Sequence, residues 1–145
     1  MNQPTAIYDK YGGYNFFHRC IYDLYLEMFD HPEIAYHFVG VNIEKLSRLQ
    51  TQFLVRAIGG PDLYEGKVIK NVHAHMEITP YEFKEIAKSF RNVFIKNGVE
   101  KADVDIIMSF VASHSPDIVT VKTTFISRLM KNIYRWFDRI KKALF

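Results

Sequence analysis

The 145-residue chain has one cysteine, one tryptophan and five prolines, and no apolar run long enough to cross a bilayer. Each scarcity excludes something. Cys20 alone cannot build an internal disulfide framework, which fits a reducing compartment, and its place on an apolar helical stripe marks it as a small buried hydrophobe. A membrane span needs about 18 apolar residues, whereas the longest uncharged stretch, Ile106 to Pro116, ends well before that. Met1 to Lys10 has no basic segment followed by an apolar run, so no secretory signal is expected and the chain is expected to be cytoplasmic. Alternating strand patterns, internal repeats and low-complexity segments are missing as well, and no nucleic-acid partner is expected.

Acidic residues are nearly missing from one end. Residues 121–145 hold seven Lys and Arg against one acidic residue, a net +6, while residues 1–120 hold twelve against fifteen, a net −3. The basic character therefore belongs to the tail. What the chain does have is aromatic surface, with twelve Phe and nine Tyr. Large flat side chains suit the walls of a pocket and suit an ordinary core equally. One domain of this size buries about two thirds of its unfolded surface, enough to tolerate a cofactor cavity.

The strong periodicities are helical. Gly12-Gly13 marks a tight turn, after which Phe17, Ile21, Leu24 and Met28 predict a helix over Asn15 to Phe29 with Tyr25 at the border of its stripe. Asp30-His31-Pro32-Glu33 predicts a stop and a new short helix from Pro32 to about His37, with Phe38 at a corner. Ile43, Leu46, Gln50, Phe53 and Ala57 predict a helix over Ile43 to Ile58 that Gly59-Gly60-Pro61 ends. Thr79-Pro80-Tyr81-Glu82 combines a capping box with proline in the first turn, so a helix starts there and runs to Asn97-Gly98. Val104, Ile107, Val111 and His114 predict the next helix, with Pro116 expected to close it.

Three polar groups sit where apolar ones would be expected: Tyr25, Gln50 and one of His73 and His75. Burying such a group without a partner costs about 1–3 kcal/mol, so each should have something to bond. Residues two apart on a helix point in nearly opposite directions, so only one of the two histidines can face a common pocket. A haem would satisfy all three groups, its iron taking an imidazole while a phenol and an amide hydrogen-bond a diatomic ligand. A core tyrosine, a half-exposed amide and a surface histidine pair satisfy them too. Two closely spaced histidines without cysteine or carboxylate partners are a weak zinc signal.

From Ile7 to about Thr120 the chain resembles the group I truncated haemoglobins. The resemblance is carried by Ile7-Tyr-Asp-Lys-Tyr-Gly12-Gly13, Tyr25, Phe38, Leu46 with Gln50, Gly59-Gly60-Pro61, Val72-His73 and Ile78-Thr79, in that order. It implies an all-α fold, the truncated-globin two-over-two sandwich of helices B and E over G and H, and haem b as cofactor. Residue by residue, it implies His73 as the proximal iron ligand, Phe38 packed on the porphyrin, and Tyr25 with Gln50 as the distal hydrogen-bonding and catalytic pair. Leu46 then lies near the distal face and Lys45 within reach of a haem propionate. Phe53, Phe83, Ile86 and Val111 match pocket and tunnel walls, and Ile69, Val72 and Ile78 join the cofactor pocket. Leu54, also assigned to the pocket, stands where some members carry an aromatic. The ligands implied are oxygen, nitric oxide and carbon monoxide. The activity implied is reversible oxygen binding with nitric oxide dioxygenation, which would need a reductase. A gas or redox sensor signalling through the C-terminal helix is the alternative.

That helix has no counterpart in the family core. The chain therefore divides into a globin domain, residues 1–120, and an extension, residues 121–145. Phe125, Leu129, Ile133, Trp136 or Phe137, Ile140 and Leu144 recur every three or four positions, with basic residues filling much of the remainder. Such a helix suits an anionic membrane surface; docking on the globin body, on a second copy or on a reductase are the other readings.

Overall fold

The computed structural model describes residues 5–121 and 125–144. They form α1 (Ile7–Lys10), α2 (Tyr14–Asp30), a 3-10 turn (Ala35–Phe38), α3 (Ile43–Ala57), α4 (Ile69–His73), α5 (Pro80–Lys96), α6 (Lys101–Ser113), α7 (Ser115–Ile118) and α8 (Phe125–Leu144). Among the described residues there is no strand. Helix α2 packs on α3 and on α5, and α5 packs on α6. This is the two-over-two sandwich, with α2 and α3 as helices B and E and α5 and α6 as G and H.

The apolar stripes read from the sequence are what meet between the layers. Phe17, Cys20, Ile21, Leu24 and Met28 of α2 are buried with Leu54 and Val55 of α3, Phe90, Val93 and Phe94 of α5, and Val104 and Ile107 of α6. Fully burying one such large side chain contributes about 1.5–3 kcal/mol, so the shared stripe outweighs the helices' weak intrinsic propensities. Burial also pushes the Cys20 thiol up to about 11.

Local chemistry sets the element ends. Gly13, at φ 77°, is the N-cap of α2 and takes a backbone conformation that a side chain would strain. Gly59, at φ 92°, lets the end of α3 approach Ala6, and Tyr8 N–H donates to the Ile58 carbonyl at 3.0 Å. Thr79 and Glu82 form the capping box at the start of α5: Glu82 N–H donates to Thr79 Oγ1 at 3.2 Å and Thr79 N–H to Glu82 Oε2 at 2.9 Å. The body closes where Thr120 N–H donates to the Ile78 carbonyl at 3.0 Å.

Two boundaries differ from expectation. Pro116 does not close a helix: α6 ends at Ser113 and Pro116 lies in the first turn of α7. Proline lacks an N–H that a first turn would leave unpaired anyway, so it opens a helix as readily as it stops one. The segment after Pro32 makes a turn and then the 3-10 turn, with only Ala35–Phe38 helical.

A thiolate with a pKa near 11 is only about one part in a thousand of Cys20 at pH 8, and the fully buried side chain is closed to reagents besides. A thiol reagent such as dithionitrobenzoate should leave the native chain unlabelled at that pH and label it once urea unfolds it. Rapid native labelling would show that the α2 stripe opens.

A candidate haem pocket

The four main helices leave a cavity of about 580 Å3 that runs from Tyr25 on α2 and Gln50 on α3 to His73 on α4 and Val111 on α6. Its size falls within the range of small-molecule and cofactor sites. Phe38, Lys45, Leu46, Phe53, Ile69, Val72, Ile78, Phe83 and Ile86 also line it. Of the expected site residues only Leu54 stands apart, 1% exposed in the core cluster. It neighbours Phe53 in sequence, and adjacent helical residues face different ways, so Phe53 takes the cavity side.

His73 ends α4, a one-turn helix that packs against α7. Its Nδ1 lies 2.8 Å from the Ile69 carbonyl one turn back. A carbonyl can only accept, so Nδ1 carries the proton and Nε2 keeps its lone pair. Burial, opposed in part by the Ile69 bond and aided by nearby His37, holds the imidazole pKa below its usual value of 6.5. The ring is thereby neutral at physiological pH. His75 lies two residues beyond the helix end, exposed and outside the cavity lining. The two rings are separated by the end of α4 rather than by opposite faces of one helix.

On α2 and α3, Tyr25 is 6% exposed and its hydroxyl donates to Gln50 Oε1 at 3.4 Å. That is long for an O–H···O bond. Burial pushes the phenol well above its ordinary range, so it stays a donor. Phe38 meets Tyr25 edge-on at 5.8 Å between ring centroids and stacks on Phe29 at 5.4 Å. Exposed Lys45, held at the α3 start where Asn42 Oδ1 accepts its N–H at 2.9 Å, lines the cavity beside Arg48 and Lys67. Arg48 is paired with Glu65 at 2.8 Å.

Sequence reasoning missed two further imidazoles on the lining. His114 packs its ring 5.1 Å from Phe53 and 4.6 Å from Phe110, and its Nδ1 donates to the Phe110 carbonyl at 2.9 Å. The signal was present, since His114 continues the α6 stripe. His37 lies 3.4 Å from Glu82 Oε1, both side chains nearly enclosed, with the Tyr36 hydroxyl donating to the same oxygen. No periodicity announces that cluster, because it joins the 3-10 turn to the α5 cap across the fold.

The model of the family described as bacterial-like globin matches residues 6–120. The chain belongs to that family. It is 29% identical over 118 residues to the group 1 truncated haemoglobin of Mycolicibacterium paratuberculosis, covering 81% of this chain and 87% of that one. The truncated haemoglobin of Tetrahymena pyriformis in its Fe(III) form superposes with a TM-score of 0.71 at 23% identity, covering 79% of this chain and 97% of that one. The group II truncated haemoglobin of Bacillus anthracis gives 0.76 at 22% identity, covering 86% and 98%. The group I resemblance thus rests on sequence, and the fold is common to both groups. Membership carries haem as cofactor and diatomic gas binding as the broad function. The cavity fits that group, with His73 offering a lone pair on Nε2, aromatic walls and basic side chains in the lining.

Because Leu54 fills core rather than cavity, Leu54→Ala should lower the unfolding free energy in urea by about 2–5 kcal/mol. Phe53→Ala should instead open the cavity between Tyr64 and His114. An unchanged urea midpoint for Leu54→Ala would place that side chain outside the core.

Proposed function

We propose that the chain is a haem b protein that reversibly binds oxygen, with nitric oxide and carbon monoxide as further ligands, and that its turnover chemistry is nitric oxide dioxygenation. His73 is the proximal ligand, and Tyr25 and Gln50 are the hydrogen-bonding pair on the ligand side. The observation that carries the reading is the 2.8 Å contact of His73 Nδ1 with Ile69, which leaves Nε2 unprotonated in a ring that burial keeps neutral. When bound, haem supplies the gas-binding iron and the single electron needed to turn oxygen and nitric oxide into nitrate, an electron that a reductase must return.

The remaining work belongs to side chains. Tyr25, protonated and only loosely held by Gln50, can turn its O–H toward a ligand that gains negative charge on its outer atom. Gln50 accepts from Tyr25 through Oε1 and so keeps its amide N–H groups for the same ligand. The phenyl and aliphatic walls exclude water, which strengthens each of these bonds. Lys45, with Arg48 and Lys67, supplies positive charge for the cofactor's carboxylates.

A sensor without turnover is the second reading, favoured by one observation. Arg135 of α8 pairs with Glu33 at 3.1 Å, in the segment that leads into His37 and Phe38 of the cavity wall. Sustained nitric oxide consumption in the presence of a reductase separates the two.

Replacing His73 with Ala should abolish tight haem retention and the spectrum of an imidazole-ligated iron, while His75→Ala should leave both intact. The reverse result would exchange the two assignments. Tyr25→Phe should speed oxygen release by roughly ten- to a hundredfold in stopped flow, the equivalent of losing about 1.5–3 kcal/mol of hydrogen bonding to a charged acceptor. An unaltered off-rate would mean that the hydroxyl points away from the ligand.

A further inference from the structure

We propose that the outward face of α8 is a docking surface for an anionic phospholipid bilayer. Leu129, Ile133, Trp136 and Phe137 are 49%, 41%, 59% and 53% exposed. Their spacing puts them on one side of the helix, where Trp136 and Phe137 meet edge-on at 5.1 Å. The side chains of Phe125 and Leu144, expected on the same stripe, lie outside the described ones. The other side faces the globin body. Arg135 pairs with Glu33, and Arg139 and Lys142 join it in lining a cavity of about 460 Å3 together with Tyr36 and Glu77.

This orientation inverts the usual one, in which an amphipathic helix buries its apolar stripe and shows its charges to water. Here the Arg135–Glu33 ion pair lies on the body side, and an aromatic stripe is left in solvent. Contiguous exposed apolar surface of this kind marks an interaction site.

Charge decides the occupant. A second copy would bring together two segments that each carry a net +6, and these repel. An anionic surface attracts the same charge, at roughly fivefold in partitioning per basic residue near the lipid. Lys and Arg on one face with Trp, Phe and Leu on the other is also the composition of helices that lie in the headgroup plane. Among the described residues no helix is long and apolar enough to cross a membrane, so α8 lies on the bilayer. Oxygen and nitric oxide dissolve more readily in hydrocarbon than in water, and a globin held there draws on the richer reservoir. The docking argument itself does not depend on how the haem pocket is assigned.

Trp136 is the only tryptophan in the chain and sits on the stripe, so it reports directly. The full chain is mixed at low salt with vesicles of phosphatidylcholine and phosphatidylglycerol, or of phosphatidylcholine alone. With the anionic vesicles, Trp136 emission should shift to the blue and be quenched by brominated acyl chains, the protein should co-sediment, and added salt should release it. Phe137→Glu keeps the reporter and should abolish the shift; Lys141→Gln, removing an exposed charge beside the stripe, should weaken binding about fivefold. No shift and no co-sedimentation of the unaltered chain would overturn the proposal, as would full binding by Phe137→Glu. Emission already blue before vesicles are added, and bluer at higher protein concentration, would make a second copy the occupant and overturn it as well.

Discussion

The proposed pocket depends on one hydrogen bond, from His73 Nδ1 to the Ile69 carbonyl. An imidazole has two nitrogens, and only the one without a proton can bind a metal. A free side chain would exchange tautomers and rotate; here the last turn of α4 fixes both, because the acceptor is a backbone atom of the same short helix. Burial of the ring adds to this by disfavouring the charged form. The same bond accounts for the difference between His73 and His75. His75 lies beyond the helix end, exposed and outside the cavity lining.

Around that imidazole the fold trades core for cavity. A chain of 145 residues has little apolar surface to spare, yet Phe53, Phe83, Phe90 and Phe110 turn part of theirs toward the cavity. Such a space forfeits dispersion contacts on every wall. A flat, largely apolar cofactor restores them, and because it binds the native state alone it stabilises the fold by mass action. The core and the pocket are therefore parts of one packing arrangement. Leu54 completes the first and Phe53 the second, although the two are adjacent in sequence.

How much of this could be read in advance follows from the range of the interactions. Helices α2, α3, α5 and α6 were legible because their signals are local: a glycine pair, a capping box at Thr79 and Glu82, and stripes recurring at helical spacing. Tyr25 and Gln50 stood out as polar residues bordering or interrupting such stripes, and both line the cavity. What escaped is set across the fold. Pro116 could stop or start a turn, and the choice depends on α7 packing against α4. His37 meets Glu82 only once the 3-10 turn reaches the α5 cap, so no window of sequence shows the pair. The individual pocket roles came from resemblance to a family, which carries tertiary information that periodicity lacks.

Helix α8 shows the same limit in sharper form. Its two faces were plain from the sequence, but which one meets the body was not, since an apolar stripe has a direction only relative to its own helix. Hydrophobic burial would have turned Trp136 and Phe137 inward. Instead the acidic balance of residues 1–120 meets the basic balance of the tail, and Glu33 holds Arg135 in a partly shielded ion pair whose side chains are 34% and 22% exposed. Pairs of that exposure are weak, generally worth no more than about 1 kcal/mol, and weaken further in salt. The contact orients the helix without committing its apolar stripe, so the stripe stays free for a surface that can cover it.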